Sequence, residues 1–123
     1  LTKTFRFLAL LLVFTAGSSN LVAGTTARLT LKRVEAKRVC MINERAMDKD
    51  QIPVKVGGKT YFGCCEMCKK ALTTDASKRR AVDPVSGKTV DKATAVIAAA
   101  DDGKVFYFEN ERNLAKYNGT AKR

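Results

Sequence analysis

Three of the four cysteines, Cys64, Cys65 and Cys68, fall within five residues, and the chain contains no histidine. The segment around them, Gly57-Gly58-Lys59-Thr60-Tyr61-Phe62-Gly63-Cys64-Cys65-Glu66-Met67-Cys68-Lys69-Lys70-Ala71-Leu72, reads as a turn, a strand, a corner and the start of a helix. Gly57-Gly58 suits the two central positions of a hairpin turn that needs positive φ at both. Ile52 to Val56 and Lys59 to Phe62 are then the paired strands. Gly63 gives the backbone the freedom to bend sharply into the helix. Cys64 and Cys68, at i and i+4, share a helix face, and Cys65 and Cys68, at i and i+3, also converge. A helix N-terminus offers free N–H groups and a positive dipole end, which favour thiolate over thiol. Lys69 and Lys70 add positive charge beside it.

The missing histidine removes Ser-His-Asp and Cys-His machinery and imidazole metal ligands. No general base stands out, so the expectation is a binding protein and not an enzyme. A metal site here must be built mainly of thiolate, which selects Zn or Cu(I) over Mg²⁺ or Ca²⁺. Its candidate ligands are Cys40, Cys64, Cys65 and Cys68, around one ion. Two other readings compete: a pair of structural disulfides, giving a stapled interaction module, and a thiol-disulfide oxidoreductase using Cys65-x-x-Cys68. In a regular helix Cys64 and Cys65 point about 100° apart. Both reach one ion only if Gly63 and Cys64 precede the helix proper. Met67 lies off the Cys64–Cys68 face. Met41 offers a thioether to Cu(I), or else fills a loop or core position.

The first residues have the pattern of an export signal. Lys3 and Arg6 precede the apolar run Phe7-Leu8-Ala9-Leu10-Leu11-Leu12-Val13-Phe14, and small residues follow at Ala16, Gly17, Ala23 and Gly24. Residues 1–24 are assigned as a signal peptide, which places the mature chain in the periplasm or outside the cell. The run is too short to span a bilayer, so no stable membrane span is expected after processing. The net charge of +11 is carried mostly by the first half: residues 25–82 hold 14 Lys and Arg against 6 acids, and residues 83–123 hold 7 against 6. Such a basic stretch suggests nucleic acid. Export and the lack of a base-stacking aromatic array argue against it. Thiolate stabilisation, attraction to anionic surfaces and solubility account for the charge better.

Residues 25–37 form a lead-in arm, either an edge strand or a loose segment. Cys40-Met41-Ile42-Asn43 is a tight loop. The cysteine helix runs through Ala71-Leu72 and breaks near Thr73-Thr74-Asp75, where Thr74 or Asp75 caps a second turn ending at Lys78-Arg79-Arg80. Asp83-Pro84-Val85-Ser86-Gly87-Lys88 is a turn. Ala95 to Ala99 and Lys104 to Phe108 are strands joined at Asp101-Asp102-Gly103. Glu109 to Tyr117 is a helix, and residues 118–123 are a frayed tail. Tyr61, Phe62, Phe106, Tyr107 and Phe108 are core formers.

The two halves superpose in sequence. Val39-Cys40 falls on Val85-Ser86 at an offset of 46; Gly58-Lys59 falls on Gly103-Lys104, Cys64 on Glu109, Cys68 on Asn113 and Leu72 on Tyr117 at an offset of 45. A repeat of this kind signals tandem modules. The expected fold is α+β: two small modules, each a β-hairpin followed by a short helix, behind the signal segment. The second is needed to supply apolar surface, because a module of about 40 residues buries little core alone.

The motif Asp83-Pro84-Val85-Ser86-Gly87-Lys88-Thr89-Val90-Asp91, followed by Gly103-Lys104-Val105-Phe106-Tyr107-Phe108-Glu109, closely resembles the YHS domain. That family typically has Cys where this chain has Ser86, Glu109 and Asn113. The first half resembles the related TRASH domain, whose pattern is one Cys, a gap and then C-x3-C. Cys40, Cys64 and Cys68 fit it, with a slightly long gap of 23 residues between the first two; Cys65 is additional. The resemblance implies treble-clef-like modules, a TRASH-like metal-binding module at 38–82 and a degenerate YHS-like module at 83–117. It further implies metal binding, in families that act in heavy-metal sensing, trafficking or resistance, often with copper, and it does not fix the metal; a metal-handling protein is the candidate protein partner.

Overall fold

The computed structural model describes residues 30–121; the signal peptide assigned to 1–24 lies outside the described residues. The fold is mixed α+β, with small antiparallel sheets and two α-helices. Each half runs from a short strand pair through a hairpin into a helix. In the first half, β2 (Val39–Cys40) pairs with β3 (Arg45–Ala46). The hairpin of β4 (Ile52–Val56) and β5 (Lys59–Gly63) follows, and then α1 (Glu66–Thr74). In the second half, β6 (Arg80–Val82) pairs with β7 (Thr89–Asp91). The hairpin of β8 (Val96–Ala99) and β9 (Val105–Phe108) leads to α2 (Glu111–Ala121).

The Gly57-Gly58 turn forms as expected. Val56 pairs with Lys59, and the two glycines take φ of 58° and 75°. Gly63 serves a different purpose from the one its position suggests. It does not adopt positive φ; instead a Cβ there would lie 2.8 Å from the Cβ of Cys68. It is glycine because α1 packs directly on the end of β5, and only a hydrogen fits between them. After α1, Asp75 caps a 3-10 turn over Ala76–Arg79 by accepting a hydrogen bond from the Ser77 N–H at 2.9 Å.

The described part of the lead-in arm holds an edge strand. β1 (Lys32–Arg33) pairs with β8, so the three-stranded sheet β1-β8-β9 joins the two ends of the described chain. Residues 118–121 of the expected frayed tail are helical instead. α2 starts two residues later than expected and continues to Ala121. Its last turns are held because the Asn118 carboxamide brackets Leu31, accepting from its N–H and donating to its carbonyl, both at 2.9 Å.

One core runs through both halves. Val39, Met41, Val54, Tyr61 and Leu72 pack with Val90, Ile97, Ala99, Val105 and Tyr107. A second cluster of Leu31, Ala98, Ala100, Phe108 and Leu114 lies under α2. Tyr61, Tyr107 and Phe108 are buried and Phe62 and Phe106 partly so, as expected of strand aromatics. Met41 is fully buried in the core. Buried Lys92 ties the halves together. Its ammonium donates to the Met41 carbonyl at 2.8 Å, pairs with the Glu44 carboxylate and lies 5.2 Å from the Tyr107 ring centroid. Asp91 likewise receives Lys59 at 2.7 Å and the Tyr61 hydroxyl at 2.9 Å. No helix among the described residues is long and apolar enough to cross a membrane.

Candidate metal centre

Two corners of the first half bring the thiols together. Cys40 ends β2 and is fully buried against the core. Cys64 sits in the bend after β5, Cys65 is the residue just before α1, and Cys68 lies on the buried face of its first turn. Cys64 therefore precedes the helix proper, the condition under which it escapes the angular conflict with Cys65. The Sγ atoms of Cys40, Cys64 and Cys68 all lie within 4.8 Å of one another, and this is the cluster of potential metal ligands found among the described residues. Cys68 is 3.6 Å from Cys64 and 3.9 Å from Cys40. Thiolates bound to Zn²⁺ at about 2.3 Å in a tetrahedron stand about 3.8 Å apart, so two edges of the group already have that spacing. Three cysteines so arranged can bind a soft metal ion.

Cys65 is placed differently. Its Sγ is 3.3 Å from Cys68, yet it is not one of the three mutually close sulfurs. Cys64 and Cys65 are exposed to solvent, whereas Cys40 and Cys68 are buried. All four are free thiols. Met67, beside them, is 82% exposed and joins neither core nor site.

Sequence reasoning missed Asn43. Its backbone N–H donates to Cys40 Sγ at 3.4 Å and its carboxamide NH₂ to Cys64 Sγ at 3.2 Å, so one residue orients two of the three sulfurs. The available signal was its place three residues after a cysteine in a tight loop, where Asn bends back on its neighbours.

The protonation of the cluster follows from these contacts. Burial is the largest influence on Cys40 and presses its thiol upward. The N–H groups of Asn43 and Ile42 and the Cys64 thiol more than offset it, and the net shift is downward. Burial, followed by the thiols of Cys65 and Cys64, pushes Cys68 up to about 12. Cys64 is raised, chiefly by its hydrogen bond with Cys40. Cys65 is lowered, first by the backbone N–H of Cys68 and then by the Cys68 thiol. An entering metal ion must displace the Cys68 proton, so metal affinity falls as pH falls.

The equivalent place in the second half holds a carboxylate. Asp83 is fully buried. One of its oxygens accepts the N–H groups of Val85 at 2.7 Å and Ser86 at 3.1 Å. The other accepts the Glu109 N–H and the Asn113 carboxamide, each at 2.7 Å. Glu109 and Asn113 stand in the places of Cys64 and Cys68, as the repeat predicts. Ser86 does not stand in the place of Cys40. The Asn43 N–H reaches back three residues to Cys40 just as the Ser86 N–H reaches back three to Asp83, so Asp83 occupies the Cys40 corner. The side chain of Ser86 is exposed and accepts a bond from the Lys88 N–H at 3.3 Å. Asn110, in the place of Cys65, caps α2 by accepting the Asn113 N–H at 2.9 Å.

Compared with known proteins, the chain matches no family model, no curated protein and no solved structure.

Proposed function

We propose that the chain is an exported metal-binding protein that holds one Zn or Cu(I) ion at Cys40, Cys64 and Cys68, acting as a carrier, buffer or sensor accessory. The observation that carries this reading is the group of three thiols within 4.8 Å, assembled from two separate corners of the fold. Cys65 stands at the rim as the fourth thiol, outside the group of three. The reading takes residues 38–82 as the TRASH-like, treble-clef-like metal-binding module and 83–117 as the degenerate YHS-like one. It takes the periplasm or the exterior as the location, from the apolar run at residues 7–14. The exposed rim of Cys64 and Cys65 suits hand-over of the ion to a metal-handling protein, and binding without catalysis accords with a chain that has no histidine.

Metal analysis and native mass spectrometry of protein purified reduced from its own compartment test this. One ion per chain, lost in Cys40→Ser, is the expected result. A metal-free chain with a reversible dithiol couple would point instead to a thiol oxidoreductase, and one with two fixed bridges to a disulfide-stapled module.

A further inference from the structure

Cys68 is the common neighbour of every other thiol: Cys65 is 3.3 Å away, Cys64 3.6 Å and Cys40 3.9 Å. Its sulfur can belong to the metal group or to a disulfide, but not to both. Among the exposed thiols, Cys64 belongs to the three-thiol group and Cys65 does not. In the loaded protein, therefore, Cys65 is the solvent-facing sulfur whose lone pairs are least committed to the ion. It sits against a buried ligand that no external oxidant reaches directly.

We infer that Cys65 makes the site releasable by oxidation: a Cys65–Cys68 disulfide, formed at the expense of a low-molecular-weight disulfide, removes Cys68 from the group and frees the ion. The inference rests on the metal-site reading above. Cys65 loses its proton and attacks one sulfur of the external disulfide, forming a mixed disulfide and expelling a thiolate that takes up a proton. Cys68 then gives up its bond to the metal, attacks the Cys65 sulfur and expels the second thiolate, which is protonated from solvent. Two cysteine sulfurs are oxidised and the external disulfide is reduced to two thiols. The sulfurs must close by about 1.3 Å to reach bonding distance. Cys65, exposed and just ahead of the helix, can make that movement without disturbing α1. With Cys68 withdrawn, only Cys40 and Cys64 remain of the three, too few to hold Zn²⁺ tightly.

The test uses the full chain, reduced and loaded with one equivalent of Zn²⁺, then exposed to glutathione disulfide while a chromogenic chelator reports free zinc. Wild type should release its zinc with a bridge that peptide mapping places between Cys65 and Cys68, and dithiothreitol should restore binding. Cys65→Ser, loaded in the same way, should release zinc at least tenfold more slowly. The inference is overturned if the bridge forms elsewhere, if Cys65→Ser releases zinc as fast as wild type, or if wild type keeps its zinc after the thiols have reacted. A reduced wild type that binds no zinc or Cu(I) refutes the metal site itself, and the release mechanism with it. A protein that binds zinc and retains it under oxidation refutes only the release mechanism.

Discussion

The two halves solve one mechanical problem with different chemistry. In each, a corner after the first short strand must be tied to the start of a helix that arrives by way of a hairpin. The first half brings three thiols to that junction. The second brings Asp83, whose two oxygens accept four donors, two from its own turn, one from Glu109 just ahead of α2 and one from Asn113 in its first turn. A buried carboxylate that is fully hydrogen-bonded makes a permanent tie, because its charge is neutralised by fixed N–H groups. A thiol cluster gains its strength from an ion and loses it when the ion leaves. The difference extends to the packing. The first half has Gly63 against Cys68, with no room for a Cβ, where the second has buried Phe108 at the matching position.

This contrast can be broken most severely at the buried thiols. Cys40→Ser and Cys68→Ser should each lower metal affinity by more than about 100-fold, since even residues behind the ligands contribute 10–100-fold. Competition with a chelator of known affinity measures this, and near-normal binding in either variant would dissolve the assigned group. The equivalence of the corners can be sharpened by converting the second half. Asp83→Cys, Glu109→Cys and Asn113→Cys combined should raise the stoichiometry to two ions per chain by native mass spectrometry. The same change with Ser86→Cys in place of Asp83→Cys should leave it at one.

A third change separates the two kinds of tie by pH. The carboxyl of Asp83 is lowered; burial opposes that direction, and the Asn113 carboxamide and the Glu109, Val85 and Ser86 N–H groups outweigh it. A lowered folded value means that its contribution to stability is complete above the unfolded carboxyl value of about 3.9. It is lost as pH falls through the folded value below that. Asp83→Asn sets an NH₂ against donors and should cost about 3 kcal/mol near neutral pH, a fall in Tm on the order of 15 °C. It should also flatten the acid limb of the stability curve; an unchanged limb would mean that Asp83 is not the tie. The smallest effect is expected at Gly63→Ala. The added methyl must displace Cys68, and affinity should drop by about tenfold with little change in secondary structure. Wild-type affinity there would show that α1 has room to shift.

Local chemistry was the legible part of this fold. A Gly-Gly pair between alternating strands dictates its turn, and Cys64 and Cys68 one helical turn apart dictate a shared face. Asp75 announces its cap. What the sequence concealed depends on contacts between distant residues. β6 and β7 are three residues each, too short and polar for alternation to register. The pairing of β1 with β8 joins Arg33 to Ala98, which no local pattern encodes. The repeat placed Ser86 over Cys40 because Val-Cys and Val-Ser align by type. Space pairs Cys40 with Asp83: 23 residues separate Cys40 from Cys64 and 25 separate Asp83 from Glu109, so no single offset carries both matches and only the hydrogen bonds record the first. Gly63 was legible as special but not as the floor beneath Cys68, which takes the position of α1 to see.

The clamp on the Cys40 loop bears on the order in which the molecule can be finished. That loop is held by Lys92 at the Met41 carbonyl, by the Gly103 carbonyl at the Ala46 N–H (2.8 Å) and by the Val105 N–H at the Glu44 carbonyl (3.1 Å). All three anchors lie downstream of the last cysteine. A chain made from its N-terminus has every thiol in hand by residue 68, and the Cys40 loop can already tie its Met41 N–H to the Phe62 carbonyl (2.9 Å). These three further ties wait for residues 92–105. The later half thus completes, after the last thiol is made, a clamp that the first half only begins.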